Sequence, residues 1–239
     1  MIERHLLKLR ARSPVSAEEE KAIRDAVAEI NTYPADQTVI RAGVRINVSM
    51  LLLDGLMCRY KDLSDGQRQI TELHVAGDFA DLHSFTLKRL DHNVMTLTPC
   101  RIAIVPHANL ERITEQFPHL TRLYWFTTNM DAAIHREWEV SLGRRPAVAR
   151  LAALFCELRA RLGVVGMTEG HSYRLPLTQT DIAECVGLTP IHVNRTLKEL
   201  RERGLVEFRS GRVNILNWEG LVQIAEFDPA YLYLEPISL

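Results

Sequence analysis

Apolar positions along the chain follow two rhythms. In residues 16–30, SAEEEKAIRDAVAEI, Ala22, Ile23, Ala26, Val27 and Ile30 recur every three or four residues. Ser16 and Glu19 stand at capping-box spacing, so the stretch predicts an amphipathic helix. The rhythm then shortens. TVIRAG, VSMLLLDG, LMCRYKDL and RQITELHVAG are short strand-like runs, with glycines at 43, 55, 66 and 77 between them. Asp65-Gly66 is a hairpin signal, and VMTLTPCRIAIVP at 94–106 adds one or two more strands. Residues 31–107 therefore predict an antiparallel sheet closed into a small roll. The segment 78–92 interrupts it as a short helix or a pocket-lining loop.

Helical spacing returns at 108–117. Pro118 opens a run free of Gly and Pro from 119 to 142. Leu120, Leu123, Thr127, Met130, Ile134 and Ser141 form its stripe. Tyr124, Trp125, Phe126 and Trp138 widen the apolar surface beyond what one small domain needs to cover. This fits a helix that packs on the roll and on a twin of itself; the alternative is a single long core helix in a monomer. Gly143 is expected to end it and Pro146 to start a helix over 147–162. GVVGMTEGHSY reads as a loop.

Residues 177–203, LTQTDIAECVGLTPIHVNRTLKELRER, carry two short helices and a tight turn. Thr178 and Asp181 form a capping box, Ile182, Ala183 and Val186 give one apolar face, and Gly187 suits the turn. Thr189 caps the second helix and Pro190 takes its first position. Val193, Leu197 and Leu200 make its buried stripe. That leaves Ile191, Arg195, Lys198 and Glu202 outward, with His192 and Asn194 on the flanks. This is the layout of a helix-turn-helix whose second helix enters the major groove, against the alternative of an ordinary helical hairpin in a core. GLVEFRSGRVNILN then reads as a β-hairpin with Ser210-Gly211 at its tip, a wing beside the second helix. Residues 217–234 predict a closing helix and an aromatic tail.

Composition is that of an ordinary globular chain, 46% hydrophobic and 25% charged, with a net charge of −1. Residues 1–142 hold 17 Lys/Arg against 19 Asp/Glu, and residues 143–239 hold 12 against 11. No global field announces nucleic acid. The basic residues are concentrated locally instead: Arg195, Lys198, Arg201, Arg203, Arg209 and Arg212 fall within one short stretch. The four cysteines, at 58, 100, 156 and 185, form no CxxC pair, and no run reaches the roughly 18 apolar residues of a membrane span. A cytoplasmic location with reduced thiols is expected.

DIAECVGLTPIHVNRTLKELRERGLVEF, together with YPADQTVIRAG and HVAGDF, resembles the CRP/FNR family of bacterial transcription regulators over nearly the whole chain. The resemblance implies an α+β architecture. An N-terminal antiparallel β-roll, cyclic-nucleotide-binding-like, would span 1–117. A dimerisation helix would span 118–142 and a winged helix-turn-helix 143–239. It further implies a homodimer on a two-fold symmetric operator, controlled by a signal sensed in the roll.

The chain departs from the family pattern at several positions. Where cyclic-AMP-binding relatives carry a Gly-Glu pair and then an Arg-Ser pair, this chain has Asp81-Leu82 and His92-Asn93. The cyclic phosphate then lacks its bidentate arginine, and no cyclic AMP binding is expected. Clustered N-terminal cysteines for an iron–sulfur cluster are missing as well. Haem-sensing relatives exist, but nothing marks one of the nine histidines as an axial ligand. For His74, His83 and His92 a hydrogen-bonded or surface role is expected, because no HxH or HxxxH spacing is present. No cofactor or metal is expected; Asp81, His83, His92 and Asn93 are the candidate effector-pocket residues.

In the second helix Pro190-Ile191 replaces the family's Arg-Glu or Val-Glu, so the glutamate that accepts from cytosine is gone. Arg195 matches the base-reading arginine, Asn194 suits adenine and Ile191 a thymine methyl. His192 can donate to base or phosphate. Thr178, Thr180, Thr189, Lys198, Arg209 and Arg212 suit phosphates. Double-stranded DNA, a second copy and RNA polymerase are the expected partners, with no membrane and no catalysis. Two alternatives stand beside this reading: a cupin-like β-barrel enzyme, although its HxH metal motif is lacking, and a ligand-sensing dimer that binds protein instead of DNA.

Overall fold

A computed structural model describes residues 1–237. The chain divides into two compact units. One holds Met1–Lys61, Glu72–Ala132 and the segment from Tyr233; the other holds Asp62–Thr71 and Ala133–Leu232.

The first unit begins with α1 (Glu3–Arg12) and α2 (Ala17–Ala26). α1 was not anticipated. Its charged residues hide an apolar stripe of only Ile2, Leu6 and Leu9, all buried. The helix predicted over 16–30 has its Ser16/Glu19 capping box but stops at Ala26. Residues 29–33 become the strand β1 (Glu29–Tyr33), which pairs antiparallel with β7 (Cys100–Pro106) from Glu29↔Ile104 to Tyr33↔Cys100. Ladder hydrogen bonds outweigh the continuing helical pattern, and Ile30 is left exposed.

Between them lie β2 (Thr38–Ile40), β3 (Val48–Asp54), β4 (Met57–Asp62), β5 (Arg68–His74) and β6 (Asn93–Thr96), with a single helical turn, α3 (Ser84–Leu87), inside the segment left open by the sequence. They form two antiparallel sheets, β1-β7-β3 and β2-β6-β4-β5. This is the predicted roll. Its hydrophobic runs have a physical reason: the sheet β1-β7-β3 is covered on both faces. Met50, Leu52, Ile102 and Ile104 point into a core shared with the other sheet, among Ile40, Met57 and Val94. Their neighbours Leu51, Leu53, Ala103 and Val105 point the other way, into a second core with Leu6, Ile23, Leu110, Leu120 and Leu123. Alternate residues thus serve two cores, and VSMLLLDG reads as continuously apolar.

α4 (His107–Gln116) and α5 (Pro118–Arg144) complete this layer. α5 runs past Gly143, which does not end it. Of its expected stripe, Leu120, Leu123 and Ile134 are buried within their own chain; outside that stripe, Trp125 is 67% exposed and Val140, which the pattern did not single out, is exposed as well. No helix among the described residues is long and apolar enough to cross a membrane.

The second unit is built on α6 (Ala147–Val164), whose Leu151, Leu154, Phe155, Leu158 and Leu162 are buried. The stretch read as a loop holds two short strands, β8 (Thr168–Glu169) and β9 (Ser172–Arg174). They join the hairpin β10 (Val206–Arg209) and β11 (Arg212–Ile215) in one sheet of order β10-β11-β9-β8. Tyr173 anchors this sheet: it is buried and its hydroxyl donates to the Phe155 carbonyl at 2.9 Å. α7 (Gln179–Val186), α8 (Pro190–Glu202), α9 (Trp218–Ala225) and a 3-10 turn at Pro229–Leu232 complete the unit.

Candidate nucleic-acid interface

Local chemistry sets the geometry of α7 and α8. Thr178 accepts from the Asp181 amide, and the Asp181 carboxylate accepts from the Thr178 amide at 2.7 Å, a reciprocal cap. Gly187 leaves α7 with φ +62°, and a Cβ there would stand 3.1 Å from a Leu142 methyl. Glycine meets both demands. The last carbonyls of α7 lack helical partners. Gln69 donates to the Glu184 carbonyl at 2.6 Å and Arg150 to the Val186 carbonyl at 3.2 Å. Thr189 caps α8 by accepting from the His192 amide at 3.2 Å, and Pro190 follows.

α8 buries Val193, Thr196 and Leu200; Leu197 is only half-buried, and Thr196 takes its place by donating to the His192 carbonyl at 2.9 Å. The opposite face presents the expected residues. Ile191 is 75% exposed, an unusual display for an aliphatic side chain. Asn194 and Arg195 are exposed and His192 is half-buried. Among the described residues Arg195 has no acidic partner. Asn194 donates to Gln179 Oε1 at 3.4 Å, so a residue of α7 orients its amide.

The expected phosphate contacts divide into two groups. Thr178 and Thr189 are exposed but already engaged as caps; Thr180 is exposed without that duty. Lys198 lies 3.6 Å from Glu202, both well exposed, a weak pairing. Arg209 is exposed and Arg212 is ion-paired with Glu169. Strand register adds a residue that sequence reading missed. Arg209 stands opposite Arg212, and Arg212 opposite Arg174, so three arginines cross the wing in a row. Like charges placed directly opposite repel; Glu169 offsets that repulsion at Arg212, and Arg209 and Arg174 remain exposed on either side of it.

The four effector-pocket candidates have other engagements. Asp81 is fully buried; it accepts from the Met50 amide at 2.6 Å and the Ser84 hydroxyl at 3.0 Å. Burial pushes its carboxyl up to about 6, against the pull of those two hydrogen bonds and of Arg59. The His83 and His92 rings lie 5.3 Å apart, and His92 Nδ1 is 3.0 Å from Asp91. Asn93 Oδ1 accepts from the Ala42 amide at 2.9 Å. His83 also borders a cavity of about 360 Å³ with Leu82, Phe85, Leu110, Tyr124 and Trp125. Inside the roll an unanticipated ion network stands out. Buried Arg59 donates to the Ala80 carbonyl at 2.8 Å, to Glu72 at 2.6 Å and to Asp131 of α5 at 2.9 Å. Its one sequence signal was an arginine within the apolar run LMCRY.

Residues 149–224 match the Crp-like helix-turn-helix domain and residues 30–117 match the cyclic nucleotide-binding domain. The nitrogen fixation regulation protein FixK of Bradyrhizobium diazoefficiens is 31% identical over 172 residues, covering 70% of this chain and 69% of FixK. The chain belongs to the CRP/FNR family. The transcriptional activator protein FnrL of Cereibacter sphaeroides is 27% identical over 199 residues, 81% of this chain and 79% of FnrL. The solved structure of FixK2 from Bradyrhizobium japonicum has the same fold, with a TM-score of 0.75 at 24% identity over 83% of this chain and 97% of that one. This CRP/FNR member is accordingly a DNA-binding transcription regulator and not an enzyme, which disposes of the cupin alternative.

Proposed function

We propose that this regulator acts as a homodimer on a two-fold symmetric operator, answers to a signal other than cyclic AMP, and contacts RNA polymerase from that site. The exposed start of α8, with Ile191, Asn194 and an unpaired Arg195 on one face, carries the base-reading part. Arg195 reads guanine, Asn194 adenine and Ile191 a thymine methyl, while Thr180, Lys198 and the arginines of the wing hold phosphates. Trp125 and Val140, left exposed on α5, support pairing with a second copy, which sets two α8 helices about 34 Å apart on one duplex. Against cyclic AMP stand the carboxyl of Asp81 and the His92-Asn93 pair, which offer an anionic phosphate no arginine; no iron–sulfur cluster or haem is called for.

The test is operator selection from random duplexes followed by retardation over a salt series. Affinity should fall steeply with salt. Arg195→Ala should cost roughly 1–3 kcal/mol and relax one base position. An equal loss on every sequence reduces Arg195 to a phosphate contact, and a flat salt profile favours a protein-binding dimer. Calorimetric titration with cyclic AMP should give no heat of binding; saturable heat would overturn that part of the reading.

A further inference from the structure

The roll carries a second cationic surface, sharing no residue with the one above. Two loops are joined at its edge. The Ile46 amide donates to the Lys88 carbonyl at 2.9 Å and the Gly43 amide to the Leu90 carbonyl at 2.8 Å. Between these bonds Arg45 and Arg89 face each other across an antiparallel bridge. Directly opposed like charges destabilise a strand pair. Here nothing in the chain offsets the repulsion: among the described residues Arg41, Arg45 and Arg89 have no ion pair, and all three are exposed. The acid nearest in sequence, Asp91, is engaged by Lys61 at 2.7 Å and by His92 at 3.0 Å. Lys88, also exposed, lies 3.4 Å from His107 Nδ1 and 4.8 Å over the Phe85 ring, so it supports the edge of the patch, and it holds a left-handed backbone at φ +60°. Two aliphatic side chains lie among these charges, Val44 at 54% and Leu87 at 60% exposure.

We propose that Arg41, Val44, Arg45, Leu87, Lys88 and Arg89 form a docking surface for an acidic protein segment that also carries aliphatic side chains. Charge complementarity fixes the sign of the partner: the patch holds four cations on a chain whose net charge is −1. The aliphatic pair fixes its class. Val44 and Leu87 gain little from a sugar-phosphate backbone, whose outer face is dominated by charged phosphate. The helical element at the patch, the single turn α3 that ends at Leu87, is too short to enter a groove as α8 would. An acidic segment with leucine-like side chains covers both the charges and the exposed carbon.

The test uses the full-length protein and fluorescence anisotropy with three labelled probes. Two are peptides of equal length and charge, one alternating Glu with Leu and the other Glu with Ser. The third is a duplex lacking the operator. The Glu/Leu peptide should bind about tenfold more tightly than the Glu/Ser peptide. Arg45→Glu with Arg89→Glu should abolish binding of both peptides. Val44→Ser with Leu87→Ser should bring the Glu/Leu peptide down to the Glu/Ser level. Operator affinity and thermal midpoint, unchanged in every variant, serve as folding controls. Equal binding of the two peptides, or binding indifferent to charge reversal, overturns the proposal. Loss of non-operator duplex binding with no change in peptide binding overturns it in favour of nucleic acid.

Discussion

Asp81 has no solvent exposure and keeps its proton up to about pH 6, chiefly because burial penalises the carboxylate. The unfolded carboxyl ionises near 3.8. Between those values the folded state binds more protons than the unfolded one, so stability falls as pH rises from about 4 to about 6. Asp81→Asn should flatten that part of the curve by on the order of 2–3 kcal/mol, read by chemical denaturation at several pH values. Asp131, raised to about 6 by burial and by Glu72, acts with the same sign and leaves a residual slope. An unchanged slope in Asp81→Asn would show that its neighbours carry the pH dependence. Residue by residue, the sequence revealed what helical period controls. Ile191 and Arg195 face outward because Val193 and Leu200 face inward. It did not reveal what chain folding controls. Asp81 turns towards Met50, 31 positions away, and Arg174 joins the row of arginines only through its register opposite Arg212.

Among the elements, α1 and the turn after β5 depend on one another. Gly77 has φ +99°, and a Cβ there would lie 2.8 Å from the backbone oxygen of Arg4. His5 Nδ1 meets the Gly77 carbonyl at 2.9 Å, and burial lowers its imidazole to about 4, so the ring is neutral and donates. Gly77→Ala should therefore cost roughly 2 kcal/mol or more, lowering the thermal midpoint by roughly 4–8 °C. Gly66→Ala, with φ +84° but nothing within 4 Å, should cost less. Equal losses would mean that backbone angle alone matters. HVAGDF marked this turn in the sequence, but nothing marked the helix that packs against it. The charges of MIERHLLKLRAR obscure a stripe of three residues, and strands as short as β8 and β9 give too little alternation to be seen against TEGHSYR.

For the whole molecule, the proposed dimer rests on α5. It contributes residues to both compact units, which divide between Ala132 and Ala133. The sequence places boundaries at its two ends, where composition changes. Periodicity showed the apolar stripe but not which side each residue serves, so Leu120 and Leu123 turn out to be core and Trp125 remains outside. Trp125→Glu should shift the protein from dimer to monomer in sedimentation at micromolar concentration and weaken operator binding, while the far-ultraviolet spectrum is preserved. A persistent dimer would move the seam elsewhere. The sheet β1-β7-β3 has a further consequence, as a party wall between two tightly filled rooms. Leu52 stands in one and Leu51 and Leu53 in the other, where they belong to the same cluster as Leu120 and Leu123 of α5. Because interiors are close-packed and yield little, a guest that swelled the inner room would push α5 through a single thickness of backbone, without ever touching it.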